Sequence, residues 1–194
     1  MAIAKLRKVR IIFPRLWTPN DKGKYLCNVL IQKDSPAYQE IMRAMKEAWA
    51  AGRDKFGADS FCQNPTMAQL LNRAYVKFEG GLDSKGNPVP EYYAGCIGFC
   101  ANARKPVPVI DAGGNPVAEG DSRVYDGQIA NVSLDISAVK KGNNPCIGRY
   151  LRSVMILSGG DKIDTGYSDQ IDAASEWADE ITPDAFDGVP FYEV

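Results

Sequence analysis

Alternating apolar residues at the start of the chain predict a β-hairpin. Val9, Ile11 and Phe13 occupy every second position of a strand that we place over residues 5–17. A polar turn containing proline and glycine follows, and residues 25–32 form a second, almost continuously apolar strand. The pattern therefore predicts two paired strands before any helical signal.

The next segment carries the clearest helical pattern of the chain. Ser35 and Pro36 are typical of an N-cap and a first helical position, and Gly52 is typical of a stop. Between them, apolar residues recur at helical spacing: Ala37, Ile41, Ala44, Met45, Ala48 and Trp49. We expect this stripe to pack in the core.

The remainder of the first 159 residues is mostly β in pattern. Residues 66–72 and 75–78 suggest a short helix and a short strand within a weakly patterned connection. Further strands are predicted at four ranges: 92–103, 107–110, 127–138 and 146–157. In the third of these, the inward positions are Ala130, Val132, Leu134 and Ile136. We predict a mainly β fold, a small barrel or curled sheet with one principal helix packed on it.

Charge divides the chain more sharply than its hydrophobic pattern does. The 194 residues carry 23 Lys and Arg and 24 Asp and Glu, a net charge of −1. Residues 1–159 hold 22 basic and 14 acidic side chains, a net of +8, whereas residues 160–194 hold one and ten, a net of −9. We therefore predict a basic domain over 1–159 and an acidic, partly helical tail over 160–194, a division typical of nucleic-acid binding with an interaction tail. The alternative is that the charges are solvated surface.

Several classes of function lack their usual residues. The absence of histidine removes the Ser-His and Cys-His dyads and the commonest zinc ligands. Five cysteines show no metal-binding spacing and are interpreted as buried free thiols, and no glycine-rich phosphate-binding motif occurs. No apolar run is long enough to span a membrane. We expect no catalysis, no cofactor, no metal and no membrane association.

Basic and aromatic residues are interleaved along the predicted strands, with Tyr92 and Tyr150 among the aromatics. Sequence-independent binding of single-stranded nucleic acid requires cations along the phosphates and aromatic faces for base stacking. The candidate DNA-binding residues are Arg10, Arg15, Trp17, Lys24, Tyr25, Tyr93, Phe99, Arg104, Lys105, Tyr125, Lys140, Lys141, Arg149 and Arg152.

Short motifs in the same order resemble the single-stranded-DNA-binding proteins of tailed bacteriophages. They are VRIIFPRLW at residues 9–17, YAG at 93–95, ANARKP at 101–106 and VYDG at 124–127. The resemblance implies an OB-type barrel and a role in phage replication and recombination. Tails in such proteins often carry an aromatic residue near the end, and Phe191 and Tyr192 resemble that arrangement. The resemblance therefore implies a partner-binding tail, whose residues are Asp179, Glu180, Asp184, Phe186, Asp187, Phe191 and Tyr192.

Our hypothesis is a non-enzymatic protein that coats single-stranded DNA in the host-cell cytoplasm, with a tail that regulates DNA access and recruits replication proteins. A homodimer is compatible with this hypothesis. The alternative is a phage structural or assembly protein that uses the acidic segment as an arm; a hydrolase is a third, remote class. Within the first hypothesis, residues 171–181 could instead dock as a terminal helix on the barrel or on a second subunit.

Overall fold

The computed structural model describes residues 2–71, 76–78, 81–82 and 87–165. The strands are β1 Ala2–Arg15, β2 Tyr25–Gln32, β3 Val76–Phe78, β4 Cys96–Ala103, β5 Val109–Asp111, β6 Ile129–Lys141 and β7 Asn144–Ile156. The helices are α1 Pro36–Phe56 and α2 Met67–Leu71, and a single 3₁₀ turn spans Glu91–Tyr93.

Five of the strands form a closed barrel. The sheet order is β3-β4-β2-β1-β6-β7-β5, and an additional parallel pairing of β4 with β7, at Asn102 and Tyr150, closes the ring β4-β2-β1-β6-β7. With β3 and β5 left aside as short additions, this is the strand order of the OB fold. The predicted mainly β, OB-like barrel with one principal helix is confirmed.

The barrel interior follows the alternation read from the sequence. Ala130, Val132, Leu134 and Ile136 are all buried, as predicted for β6. Helix α1 packs its apolar stripe on β1 and β6, and Trp49 is among its fully buried residues. The helix begins as predicted, because the Ser35 Oγ accepts a hydrogen bond from the Tyr38 N–H at 3.1 Å.

The predicted end of α1 is wrong by one turn. The helix continues through Gly52 to Phe56 and stops at Gly57, which has a φ of 89°. Gly52 has a different reason to be glycine: a Cβ there would collide with the Cβ of Ala138 on β6, and would lie 2.9 Å from the Phe61 ring. Close packing of the helix on β6 therefore explains a glycine that resembled a stop signal.

Two β-bulges shape β1. The pairing of β1 with β6 shifts register between Leu6 and Val9, and the pairing with β2 shifts between Ile12 and Arg15. The second bulge contains Pro14, whose missing N–H cannot join a β-ladder. Such bulges bend a strand and change the direction of its side chains, which allows one long strand to pair with different neighbours at its two ends.

Other boundaries differ by a few residues. The strand predicted to begin at Tyr92 begins at Cys96, because Glu91–Tyr93 form the 3₁₀ turn instead. The predicted link over 140–144 is a tight hairpin between β6 and β7, in which Lys141 is paired with Asn144. All five cysteines are free thiols, but only Cys27 and Cys146 are buried and Cys100 is exposed. The interpretation of all five as buried thiols is therefore wrong.

The chain divides into two compact units, Met1–Ile163 and Asp164–Val194. In the first, residues 157–163 follow β7 and remain packed on the barrel; in the second, only residues 164 and 165 are described. The helix predicted over 171–181 lies outside the described residues. Across the described part of the chain, no helix has the length and apolar character needed to cross a membrane.

Candidate nucleic-acid interface

The outer side of β1, β2 and β4 is the part of an OB barrel that, with adjacent loops, commonly holds oligonucleotides. Residues on β2 and β4 alternate between the barrel core and this outer face. The outward positions are Arg10 and Ile12 on β1, Leu26, Asn28 and Leu30 on β2, and Gly98, Cys100 and Asn102 on β4.

One half of this face is covered by protein. Ile12, Leu30 and Tyr93 form a small buried cluster, and a Cβ on Gly98 would collide with the Tyr93 ring. Glycine at position 98 therefore allows the Tyr93 ring to lie directly on β4. We call Ile12, Leu30, Gly98 and the overlying Tyr93 the covered half. Burial raises the pKa of Tyr93 well above its ordinary value.

The segment after β7 adds to this cover. Ile163 packs on the covered half, and its N–H donates to the Asp126 carbonyl at 2.8 Å. Just before it, the Tyr125 hydroxyl donates to the Gly160 carbonyl at 2.9 Å. The Asp161 carboxylate lies 3.9 Å from the Arg10 guanidinium. The basic domain therefore ends on its own candidate DNA-binding face.

The other half of the face is open. It consists of Leu26 and Asn28 on β2 and Cys100 and Asn102 on β4, all of them half-buried or exposed. Tyr150 on β7 lies opposite Asn102 and is 40% exposed. We call these five residues the open half; Tyr150 is its only aromatic residue and provides an accessible ring for base stacking.

Four exposed cations meet at one end of the open half. Arg15 ends β1, Lys24 precedes β2, and Arg104 and Lys105 follow β4. The strand register brings them together, since Arg15 pairs with Leu26 and Tyr25 pairs with Ala103. We call these four cations the basic rim. Desolvation raises the pKa of the Cys100 thiol, and the positive charges of Arg149 and Lys24 oppose this shift.

The other predicted cations are not gathered at the rim. Arg152 is exposed on β7, but it forms an ion pair with Asp135 at 2.7 Å, and Arg10 faces Asp161. Lys140 and Lys141 lie at the β6–β7 hairpin, where the Lys140 Nζ is 5.7 Å from the Phe56 ring centroid. This hairpin occupies the position of the second oligonucleotide-binding loop of OB folds.

Three predicted site residues are buried, and we remove them from the candidate interface. Phe99 and Arg149 point into the barrel, where the Arg149 guanidinium lies 5.2 Å from the Phe99 ring centroid. Tyr93 is 1% exposed within the covered half. None of the three presents a free surface to DNA, because Phe99 and Arg149 share the inward alternation of the core and Tyr93 is covered on the sheet.

The three remaining aromatic candidates are half-buried. Trp17 and Tyr25 pack against the edge of the main core next to the basic rim, and Tyr125 is held by its bond to Gly160. The sequence pattern favours these residues; it includes Tyr150 among the interleaved aromatics but does not select it as a candidate site residue. The signal that identifies Tyr150, its pairing with Asn102, is a contact between residues 48 positions apart in the sequence.

The predicted tail residues Asp179, Glu180, Asp184, Phe186, Asp187, Phe191 and Tyr192 lie outside the described residues. Within the described ranges, no group of three or more Cys, Asp or Glu side chains is arranged to hold a metal ion.

Comparisons with known proteins converge on one group. The sequence model of the family described as "Enterobacter phage Enc34, ssDNA-binding protein" matches residues 2–186. The solved single-stranded DNA-binding protein from bacteriophage Enc34 is 17% identical, with a TM-score of 0.63 over 89% of both chains. The same bacteriophage Enc34 protein in complex with ssDNA is 17% identical, with a TM-score of 0.58 over 85% of this chain and 90% of that one. The search of curated proteins found no match.

Proposed function

Because this chain belongs to the Enterobacter phage Enc34 single-stranded-DNA-binding protein family, we propose that it binds and protects single-stranded DNA in phage replication and recombination, without sequence preference and without catalysis. The observation that carries this proposal is the meeting of the basic rim with the open half of the OB face. Cations there can contact phosphates while Tyr150 stacks on a base. Neither contact selects a particular base.

The salt dependence of binding tests the basic rim. Each phosphate contact to single-stranded DNA contributes about −0.7 to the slope of log K against log salt. We therefore expect Arg104→Gln/Lys105→Gln to make the slope less negative by about 1.4. Fluorescence anisotropy with oligonucleotides of unrelated sequences, titrated at several salt concentrations, measures this slope and the sequence preference together.

A matched control separates the rim from general charge. Lys46→Gln/Lys55→Gln removes two positive charges from the exposed side of α1. This variant should keep the wild-type slope. Equal losses in both double variants would show that binding follows net charge alone, and an absence of binding by the wild-type protein would reject the proposed function.

Trp17 supplies a spectroscopic probe beside the rim. It is half-buried next to Arg15, whereas Trp49 is buried in the core. In a Trp177→Phe background, DNA should quench fluorescence, and Trp17→Phe should remove the quenching while Trp49→Phe should retain it. Quenching that survives Trp17→Phe would place the DNA away from this end of the face.

We further propose that the acidic tail regulates access to DNA. Residues 160–194 carry a net charge of −9 and are tethered to a body of +8, which gives an effective concentration of order millimolar for a short flexible link. The barrel unit ends at Ile163 on the covered half, beside the open half. A tail attached there competes with DNA for the rim. When DNA displaces the tail, its acidic and aromatic residues become free to recruit replication proteins. The aromatic residues include Phe186, Phe191 and Tyr192.

Truncation after Thr165 tests this role, because it preserves the residues packed on the barrel. The truncated protein should bind single-stranded DNA more tightly than the full chain, and the difference should shrink as salt rises. A full-length variant with Asp179→Asn, Glu180→Gln, Asp184→Asn and Asp187→Asn should show part of the same gain. Unfolding or loss of a homodimer on truncation, without a gain in affinity, would favour a docked tail helix.

The second candidate function is phage assembly with the acidic segment as an arm. It rests on the same charge division, and it predicts no binding to oligonucleotides by either the full or the truncated chain. Recruitment of replication proteins in the host-cell cytoplasm belongs to the first proposal alone. A pull-down with the full chain and with the truncated chain distinguishes a tail-dependent partner.

A further inference from the structure

A second basic surface lies on the outside of β1, β6 and β7. A groove of about 560 Å³ is lined there by Lys5, Arg7 and Lys8 of β1, by Asn131 and Ser133 of β6 and by Ser153 of β7. Among the described residues, no carboxylate lines this groove. It shares no residue with the open half or the basic rim, although Tyr150 of the open half lies on the same strand, β7.

The first β-bulge of β1 creates the cluster of cations. Leu6 pairs with Val132 and Val9 pairs with Ala130, so Arg7 and Lys8 are both exposed where a regular strand would turn one of them inward. Lys8 has a φ of 53°, a backbone region that residues other than glycine rarely occupy. Its N–H donates to the Asn131 Oδ1 at 3.0 Å, which satisfies a group that the bulge removes from the ladder.

The charges of these three side chains have no ion-pair partner in the described ranges. Within the part of the chain that the structure describes, Lys5, Arg7 and Lys8 form no ion pair, in contrast to Arg10, Arg43, Arg123 and Arg152. Glu40 of α1 lies beside Lys5 and Arg7 and accepts a hydrogen bond from the Lys5 N–H at 3.4 Å, but its carboxylate is paired with Arg43 at 2.8 Å. Among the described residues, no carboxylate therefore forms an ion pair with the three cations of the groove.

The groove is continuous with the open half along β7. Tyr150 belongs to the open half, and Ser153 and Met155 line the groove three and five residues further along the same strand. Three residues of a β-strand span about 10 Å. Arg152 lies between them, its charge balanced by Asp135. A DNA strand that leaves Tyr150 along β7 would therefore reach the groove.

We propose that this groove is a second contact surface for the phosphodiester backbone of the same DNA strand. The inference rests on the proposed function. Lys and Arg side chains combined with Ser and Asn side chains are the groups that contact phosphate oxygens in protein–DNA complexes. The apolar wall formed by Met155 and Leu157 suits the deoxyribose between two phosphates.

Oligonucleotide length tests the proposal. The variant Lys5→Gln/Arg7→Gln/Lys8→Asn removes the three charges, and Asn tolerates the positive φ at residue 8. Thymidine oligonucleotides of about 6 and about 16 nucleotides span the site sizes of OB folds. The variant should match the wild type on the short oligonucleotide, and on the long one its salt slope should be less negative by about 2.

The control variant Lys46→Gln/Arg53→Gln/Lys55→Gln removes three charges from α1 and should behave as the wild type on both lengths. Equal slopes for the groove variant and the wild type on the long oligonucleotide would overturn the proposal, as would equal losses on both lengths. If the groove variant keeps its slope but loses inhibition by a synthetic peptide of residues 166–194, the groove binds an acidic protein segment instead. Wild-type protein that binds neither length would reject the proposed function itself.

Discussion

The covered and open halves of one sheet face differ in what lies above them. In the covered half, Leu30 is buried on the outer side of β2 beneath the 3₁₀ turn that carries Tyr93. In the open half, four residues along the same strand, Leu26 is only half-buried and its neighbours Asn28 and Asn102 are polar. The same sheet therefore anchors two connecting segments at one end and presents a binding surface at the other.

This difference separates stability from binding. Side chains in the covered half contribute apolar burial, so their loss should affect folding. Tyr150 in the open half and the cations of the basic rim are exposed, so their loss should affect DNA affinity more than folding. Substitutions compared in pairs, one in the covered half and one in the open half, can show whether stability and DNA affinity are independent.

The largest effect is expected from Tyr93→Ala. Its ring is 1% exposed and lies on Gly98, so truncation leaves a cavity over β4 and should lower the free energy of unfolding by about 3–5 kcal/mol. Urea denaturation measures the loss. DNA affinity of the folded fraction should stay close to that of the wild type; a large loss of affinity at unchanged stability would instead return Tyr93 to the DNA-binding residues.

Gly98→Ala tests the contact between Tyr93 and β4 by changing the residue on β4. The added methyl group would collide with the Tyr93 ring and lie 2.8 Å from a Leu30 methyl, so overpacking should cost about 1–3 kcal/mol of stability. A double-mutant cycle with Tyr93→Ala is the sharper measurement, because removal of the ring makes room for the methyl group. Additive losses would mean that the two residues do not contact each other.

Tyr150→Ala is the corresponding change in the open half. Loss of a stacked base should weaken single-strand binding by about 1–3 kcal/mol, while the exposed ring contributes little to stability. Tyr150→Phe keeps a stacking surface and should retain most of the affinity. Equal affinities of the Ala variant and the wild type would show that the DNA does not pass β7.

The fold was accessible from sequence because its signals are local. Alternation in β6, the N-cap at Ser35 and the apolar stripe of α1 each fix an element from its own residues. Where a tertiary contact determines the residue type, the local pattern misled. Gly52 resembled a helix stop, but packing against Ala138 is the reason for the glycine. Tyr92 and Tyr93 of the 3₁₀ turn also resembled the start of a strand. Tyr93 packs on the outer face of the sheet, over Gly98, and this tertiary contact is not visible in the local pattern.

The site was only partly accessible. All four rim cations were among the predicted residues, but nothing local shows that Arg15 and Lys105, ninety positions apart, lie at one end of the same sheet. Phe99 and Arg149 are buried, although the sequence favoured a surface position, because a cation and an aromatic ring on adjacent strands suit a binding surface and a barrel interior equally well. The pairing of β4 with β7 places both side chains in the barrel interior.

The smallest predicted effect concerns alkaline pH and tests how well Tyr93 is covered. Burial raises the pKa of Tyr93 in the folded protein, so the folded state retains this proton more tightly than the unfolded chain, whose tyrosines titrate near pH 10. The stabilisation is fully present below about pH 10 and is lost as the pH rises toward the folded-state pKa, at up to about 1.4 kcal/mol per pH unit. Tyr93→Phe has no such proton. Urea midpoints between about pH 8 and pH 11 should therefore fall less steeply for Tyr93→Phe than for the wild type. If the two proteins lose stability in parallel, the Tyr93 hydroxyl is solvated and the covered half is more open than its packing indicates.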